Sequence, residues 1–337
     1  MKRKRARGRD RAGNWRRSLL WGLSLMIVGN LPAWAQDHQH DEPVWKWTPE
    51  QVQQQVSTVR SGESLKPKQW PNGAKVAVSI SFDFDTELSW LGYAGQKSPS
   101  YLSRGEYGAR TALPRILALL DKHKIPGTFF IPAGTTILHP KQVQEIVKRT
   151  QHEIGFHSYV HENPLEFKGN EERETYEKAM KIIEEKTGKR PVGFRSAGWD
   201  LTAQTIQIVK DMGFLYDSSM MADDDPYLLI SEGKDSGLVE LPVEWILDDW
   251  PYFQLNWPWH HVGLRTADEV FSIWSQEFDG AYAEGGTFTL VMHPQVIGHR
   301  YRIQMLERLI EYIKKKPGVW FATHEQVVRY VKEQNKQ

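Results

Sequence analysis

The sequence predicts an α/β chain folded as a closed or nearly closed β/α barrel of about seven parallel strands. Three observations carry this. From residue 74 to residue 332, short apolar runs alternate with helical patterns, and no long linker interrupts them. Polar residues follow the same end of four of those runs: Asp83 with Asp85, then His157, Arg195 and His293. In β/α barrels that C-terminal end of the strands is the reactive face. No Gly-rich phosphate loop follows the first strand, which argues against a doubly wound nucleotide fold.

In chain order, residues 1–35 stand outside the fold. Nine Lys and Arg form a basic head, an apolar run extends from Leu19 to about Val28, and Ala33-Trp34-Ala35 offers a small-x-small cleavage site. This order reads as a secretory signal, cleaved or kept as an anchor. The run is shorter than the roughly 20 residues a membrane span needs. Arg16-Arg17 leaves both the general and the twin-arginine export routes open. The expected location is periplasmic or secreted. Removing this segment leaves 34 basic and 41 acidic side chains, a formal net charge of −7. No basic stripe remains to suggest nucleic acid. Cysteine is absent, so no disulfide staples the exported chain and a sizeable hydrophobic core must hold it.

Residues 36–73 read as an N-terminal extension. Thr48-Pro49-Glu50-Gln51 starts a short helix to about Val59, with Thr as N-cap, Pro at N1 and Gln at N3. Residues 61–73 read as a linker. The barrel domain follows over residues 74–332. Strands are expected at 74–84, 127–131, 153–156, 192–194, 214–216, 239–243, 287–292 and 319–321. Helices are expected at 108–122, 141–150, 171–186, 202–212, 267–284, 301–315 and 323–332. Gly188 and Gly213 stop two of these helices.

Two short segments hold the chemistry. Asp83-Phe84-Asp85 puts two carboxylates at alternate positions on the end of the first strand, so both can share a face. His157 and His161 stand four residues apart, on one side of a turn or across a tight loop. Two imidazoles and a carboxylate, with a spare carboxylate beside them, make the ligand set of a catalytic zinc-type site with an open position. The plain alternative for the aspartates is strand-end capping or a surface ion pair. A His pair alone at this spacing is common by chance.

Beyond these residues the chain resembles the polysaccharide deacetylases with the NodB homology domain, carbohydrate esterase family 4. It is nearest the branch that holds Helicobacter-type peptidoglycan deacetylases and cofactor-independent allantoinases. The resemblance spans roughly residues 74–330. It rests on Ser81–Glu87, Trp90–Gly105, His152–Pro164, Gly193–Trp199, Tyr216–Tyr227, Leu241–Tyr252 and Met292–Pro294. It implies the distorted β/α barrel of that family. It implies Asp85, His157 and His161 as the metal triad, with Zn²⁺ or another divalent transition metal. Asp83 matches the general base, Arg195 its guanidinium partner and His293 the general acid. Trp90 to Arg104 fits an insertion of this branch, and Asp248-Asp249-Trp250-Pro251-Tyr252 would line the pocket. Phe84 separates the two aspartates that are adjacent in the commoner motif, and Arg195-Ser196-Ala197-Gly198-Trp199 lacks the usual prolines. Both departures put a long glycan groove in doubt.

Trp90, Trp199, Trp245 and Trp250 are candidate sugar-stacking rings, with a core role as the plain alternative. Asp223-Asp224-Asp225-Pro226-Tyr227 echoes the Asp-Asp-Trp-Pro-Tyr loop; it is either a solvated turn or a second rim that brings Asp224 to the site. His260 and His261 are weak candidates for the pocket edge. His152 is expected to be structural. His38, His40, His123, His139, His299 and His324 are expected at the surface or at caps.

The expected function is hydrolysis of non-peptide amide C–N bonds, first as an exported N-deacetylase of peptidoglycan or another polysaccharide. A cyclic amide or ureide hydrolase acting on a small molecule is the alternative. A glycan-binding module without activity would show a broken triad or a missing base, and none of those four positions is altered here. The oligomeric state stays open, although the branch often forms tetramers.

Overall fold

The computed structural model describes residues 43–255 and 264–335. The expected export signal, His38, His40, His260 and His261 lie outside the described residues. Among those described, no helix is long and apolar enough to cross a membrane.

Among the described residues ten strands form one sheet: β1 Val59–Ser64, β2 Val76–Asp83, β3 Thr128–Ile131, β4 Glu153–Phe156, β5 Gly193–Phe194, β6 Tyr216–Asp217, β7 Tyr227–Ser231, β8 Lys234–Glu240, β9 Thr287–Met292 and β10 Val319–Ala322. Eight lie in parallel pairings; seven of them are staves in the lateral order β9-β2-β3-β4-β5-β6-β8, and β10 pairs parallel with the start of β2. The sheet curls, and one parallel bridge between Asp248 and Val291 spans the gap from the segment after β8 to β9. This is a distorted β/α barrel. One edge of β2 pairs with β9, while the other is shared end to end by β10 at Val76–Ser79 and β3 at Ser81–Asp83.

Strand β2 shows why the sequence folds this way. All eight residues are buried, as expected for a strand covered on both faces. Val76, Val78, Ile80, Phe82 and Phe84 pack into the main core with helix residues such as Leu113, Ile116 and Leu309. The alternate residues Ala77, Ser79, Ser81 and Asp83 therefore face the barrel interior. That interior is small and partly polar, with Ala77, Phe130, Tyr216 and Val239 in one cluster. The pleat of one strand thus separates core from chemistry.

The helix starts obey their local signals. Pro49–Ser57, Ala267–Glu284 and His324–Gln334 each carry a capping box, on Thr48, Thr266 and Thr323, which satisfies two orphan backbone donors per helix. Several segments differ from the sequence expectation, among them a helix at Ala133–Leu138. Val59–Ser64 is not linker: β1 pairs antiparallel with β7 at the edge of the sheet. Strands β7 and β8 form a hairpin around Glu232 and Gly233, both at positive φ, a Glu-Gly turn outside the usual Asn-Gly signal. Residues Pro99–Tyr107 form a helix within the expected insertion.

Candidate active site

The C-terminal ends of the staves bring the expected residues together. Asp83 ends β2, His157 follows β4, Arg195 follows β5 and His293 follows β9. Relative exposures are 1% for Asp83, 0% for Asp85, 1% for His157, 7% for His161 and 8% for His293, so the cluster is nearly dry. Thr86, Ser158, His161 and Trp199 all hold positive φ. Non-glycine residues rarely do so, and a β-branched Thr least of all. The loops around this cluster are bent more tightly than their side chains favour, a pattern concentrated at functional sites. The insertion lies directly on these loops. A Cβ at Gly92 would sit 1.9 Å from the Val160 carbonyl, and one at Gly105 would sit 2.2 Å from the Glu87 amide nitrogen. Only glycine allows either approach.

Asp85, His157 and His161 converge. Asp85 Oδ1 lies 3.4 Å from His157 Nε2, and Asp85 Oδ2 lies 3.7 Å from His161 Nε2. Around one zinc ion with bonds near 2.0–2.1 Å, tetrahedral ligand atoms stand about 3.3 Å apart. Asp85 Oδ1 is buried without a hydrogen-bond partner among the described residues. Such a carboxylate oxygen is expensive to leave unpaired. Burial drives the Asp85 carboxyl well above its usual range and the two imidazoles below theirs. The imidazoles are therefore neutral, the form that binds metal. His157 Nδ1 donates to the Arg195 carbonyl at 2.8 Å, which turns its Nε2 lone pair toward Asp85. The donor set fits a divalent zinc-type cation.

Arg195 is the hub of one flank. Its Nη1 donates to Asp83 Oδ1 at 2.7 Å and to Ser81 Oγ at 3.0 Å; its Nε and Nη2 donate to the carbonyl and hydroxyl of Ser218, each at 2.9 Å. The guanidinium lies over the Phe130 ring, 4.0 Å from its centroid. Burial opposes ionisation of Asp83, but the Arg195 charge and its hydrogen bond outweigh that and hold the carboxyl below its usual range. Behind Arg195 stands His324, fully buried. Its Nδ1 donates to Ser79 Oγ at 2.6 Å while Nε2 accepts from Arg195 Nη2 at 3.2 Å. His324 is therefore a neutral prop in the interior, not a surface or capping group. Its side chain turns inward from the first turn of the last helix, which the cap signal at Thr323 does not reveal.

His293 forms the other flank. Its Nδ1 lies 2.8 Å from Asp249 Oδ1 and 3.6 Å from Asp248 Oδ1, and its backbone N–H donates to both Asp249 oxygens at 3.1 Å. Burial works against protonation, but Asp248 and Asp249 overcome it and push the imidazole up to about 10. His293 Nε2 then points between the two carboxylates, 4.0 Å from Asp83 Oδ2 and 3.9 Å from Asp85 Oδ2. Asp248 and Asp249 thus hold His293, a closer role than the pocket lining the sequence suggests. Gln295, unmarked by the sequence reading, donates to Asp85 Oδ2 at 3.4 Å.

The aromatic candidates divide. Trp250 meets the His293 ring edge-on at 5.0 Å, and Trp90 packs on Trp250 at 5.8 Å with Arg104 over its face. Trp90 is buried and serves as a wall behind Trp250. Trp199 stacks on the exposed Trp245 at 4.1 Å, and Trp199 also meets Val291. Asp224 does not join the centre. It is exposed, and its carbonyl accepts from Thr287 Oγ1 at the start of β9, about 20 Å along the strand from His293 at 3.3 Å per residue. Asp223 Oδ1 closes the turn by accepting from the Asp225 backbone N–H, and the Asp225 carboxylate pairs with Lys66. The echo of Asp-Asp-x-Pro-Tyr is one of turn chemistry, not of place. His152 is structural as expected: its Nδ1 accepts from Gly127 N, and burial lowers its imidazole to about 4.

Known proteins resemble this chain in sequence and shape. The polysaccharide deacetylase family matches residues 102–216. A peptidoglycan deacetylase of Helicobacter pylori is 30% identical over 280 residues, covering 75% of this chain and 95% of that protein. The crystal structure of a putative polysaccharide deacetylase from Mycobacterium smegmatis superposes with a TM-score of 0.75 at 33% identity, over 82% of this chain and 96% of that one. The crystal structure of Puue allantoinase gives a TM-score of 0.69 at 26% identity, over 80% of this chain and 93% of that one.

Proposed function

Since the chain belongs to the polysaccharide deacetylase family, whose members hydrolyse non-peptide C–N bonds, we propose that it is an exported, zinc-dependent N-deacetylase of peptidoglycan or a related glycan. The observation that carries this reading is the convergence of Asp85, His157 and His161 with an ionised carboxylate on one side and a protonated imidazole on the other. Asp85, His157 and His161 would hold the cation. Bound there, zinc polarises an amide carbonyl and makes a neighbouring water more acidic. Asp83 takes the proton from that water. Arg195 keeps Asp83 ionised and fixes its orientation through Oδ1, leaving Oδ2 toward the centre. His293 gives a proton to the departing nitrogen, which leaves poorly without one. Asp249 holds the His293 ring by Nδ1, so the donor proton sits on Nε2.

Export is supported by the basic head, apolar run and Ala-Trp-Ala sequence at the start of the chain. We read residues 36–73 as an extension ahead of a catalytic domain at 74–332. A second substrate reading rests on one feature. The insertion, anchored by Gly92 and Gly105, leaves the catalytic side chains almost wholly covered, which suits a small cyclic amide or ureide better than a polymer. The deciding assay incubates the zinc-loaded mature chain with N-acetylglucosamine oligomers and with allantoin. Acetate release from the oligomers alone supports the glycan reading. Turnover of allantoin alone replaces it with the small-molecule reading, and turnover of neither rejects both.

A further inference from the structure

A second concave feature lies beyond the catalytic cluster. The short turn Pro294–Ile297 follows His293, and the helix Arg300–Lys314 begins three residues later. Around that junction an open cavity of about 510 Å³ is lined by Tyr107, Thr111, Arg115, His299, Arg300, Tyr301 and Arg302. Three of these seven side chains are arginines and none is acidic.

None of the three arginines meets a carboxylate at ion-pair distance among the described residues. Arg115 Nη1 donates to Tyr107 Oη at 2.9 Å and to the Gly298 carbonyl at 3.0 Å. Arg302 donates to Tyr301 Oη and to the Val296 carbonyl, each at 2.9 Å. Arg300 is exposed, with no hydrogen bond or ion pair among the described residues. Arg104 stands nearby and, among the described residues, donates to the Leu255 carbonyl and the Gln254 amide oxygen. Arg115 and Arg302 are not loose surface cations. Arg302 is 9% exposed, and the Tyr107 and His299 rings stack at 4.3 Å to form one wall. Burial and the surrounding arginines lower the His299 imidazole to about 4, so it stays neutral.

Gathering like charges in a partly dry pocket costs free energy that carbonyl oxygens recover only in part. It is also unexpected in a mature chain whose net charge is −7. The helix adds to the positive field: its N-cap residue, His299, makes no side-chain cap, and its first turn holds no acid. What is missing is an anion. Guanidinium forks match phosphate and carboxylate oxygens in geometry as well as charge.

We propose that this cavity is a binding site for an oxyanion, a phosphate or carboxylate group, held by Arg115, Arg300 and Arg302. The site is separate from the catalytic cluster and does not depend on the deacetylase reading. It is joined to that cluster by one element: Arg115 and Arg302 grip the carbonyls of the turn that carries Gln295 and follows His293.

The test is calorimetric titration of the mature, zinc-loaded chain at constant ionic strength, with inorganic phosphate and with glucuronate as separate probes. Arg300→Gln is the informative variant, because that exposed side chain bonds nothing among the described residues and its loss leaves the fold intact. The expected result is saturable binding of at least one probe, weakened about tenfold or more by Arg300→Gln, a loss near 1.4 kcal/mol. Binding of phosphate alone assigns the site to phosphate esters, and binding of glucuronate alone assigns it to carboxylates. Equal affinity in the wild type and Arg300→Gln would place the anion elsewhere, for instance on the zinc, and overturn the proposal. No heat from either probe would also overturn it. Turnover is not read, so failure of the deacetylase reading leaves this result intact.

Discussion

The two flanks of the candidate cation site are both buried and oppositely built. On the Asp83 flank, a carboxylate is paired with a guanidinium that is itself satisfied by Ser81, Ser218 and His324. On the His293 flank, an imidazole is paired with two carboxylates. Desolvation acts against the charged form on both sides. Charge partners reverse it in both cases, keeping the acid ionised and the imidazole protonated. Burial therefore sets the strength of the electrostatics here and not their sign. Two groups in one dry cavity can hold opposite protonation states because each has its own counter-charge.

The largest break in this comparison removes what the flanks share. His157→Ala is expected to reduce zinc, measured per chain by atomic emission, to background and to abolish turnover with it. Zinc retained in full would reject the triad. Next, Asp83→Asn should keep its zinc while kcat falls about 10²- to 10⁴-fold, the usual worth of a general base; an unchanged kcat would reject Asp83 as the base.

Asp249→Asn tests the other flank by pH. His293 is raised to about 10 in the folded chain, against an ordinary imidazole near 6.5. A raised folded value gives stability that is complete below about 6.5 and is lost as pH climbs through about 10. In chelator-treated protein, the urea midpoint should fall across that window in the wild type and change much less in Asp249→Asn. In the zinc enzyme the alkaline limb of kcat/KM should move toward neutrality. Superimposable pH profiles would show that Asp249 does not hold the His293 charge. The smallest effect sharpens the Asp83 flank. His324→Ala strands Ser79 Oγ and one N–H of Arg195 Nη2, whose other bond to Ser218 Oγ remains, a cost of about 1–3 kcal/mol in urea unfolding. The Asp83 pairing through Nη1 should survive, so kcat should fall much less than in Asp83→Asn.

What was legible in the sequence follows the range of the interactions. Asp83, Asp85, His157 and His161 could be read because alternate strand positions and a four-residue loop are local geometry. Strand-end positions marked Arg195 and His293, but their roles needed the family resemblance, since no spacing links β5 or β9 to β2. The work of Asp249 was hidden because it depends on the Asp248–Val291 bridge, a contact between segments some 40 residues apart. His324 was invisible for the same reason: Ser79 is its partner across 245 residues. The β7–β8 hairpin was missed because Glu232 takes a positive φ that Asn or Gly normally supplies. The Asp223–Asp225 loop misled because turn-forming residues repeat wherever the chain reverses.

The Asp248–Val291 bridge has one more consequence. It is a backbone rung across the seam between the β8 and β9 segments, and the two residues that keep His293 charged begin at that rung. A slight parting of the seam would discharge the imidazole and leave Asp85, His157 and His161 in place. The charge on His293 is therefore tied to how this seam is closed.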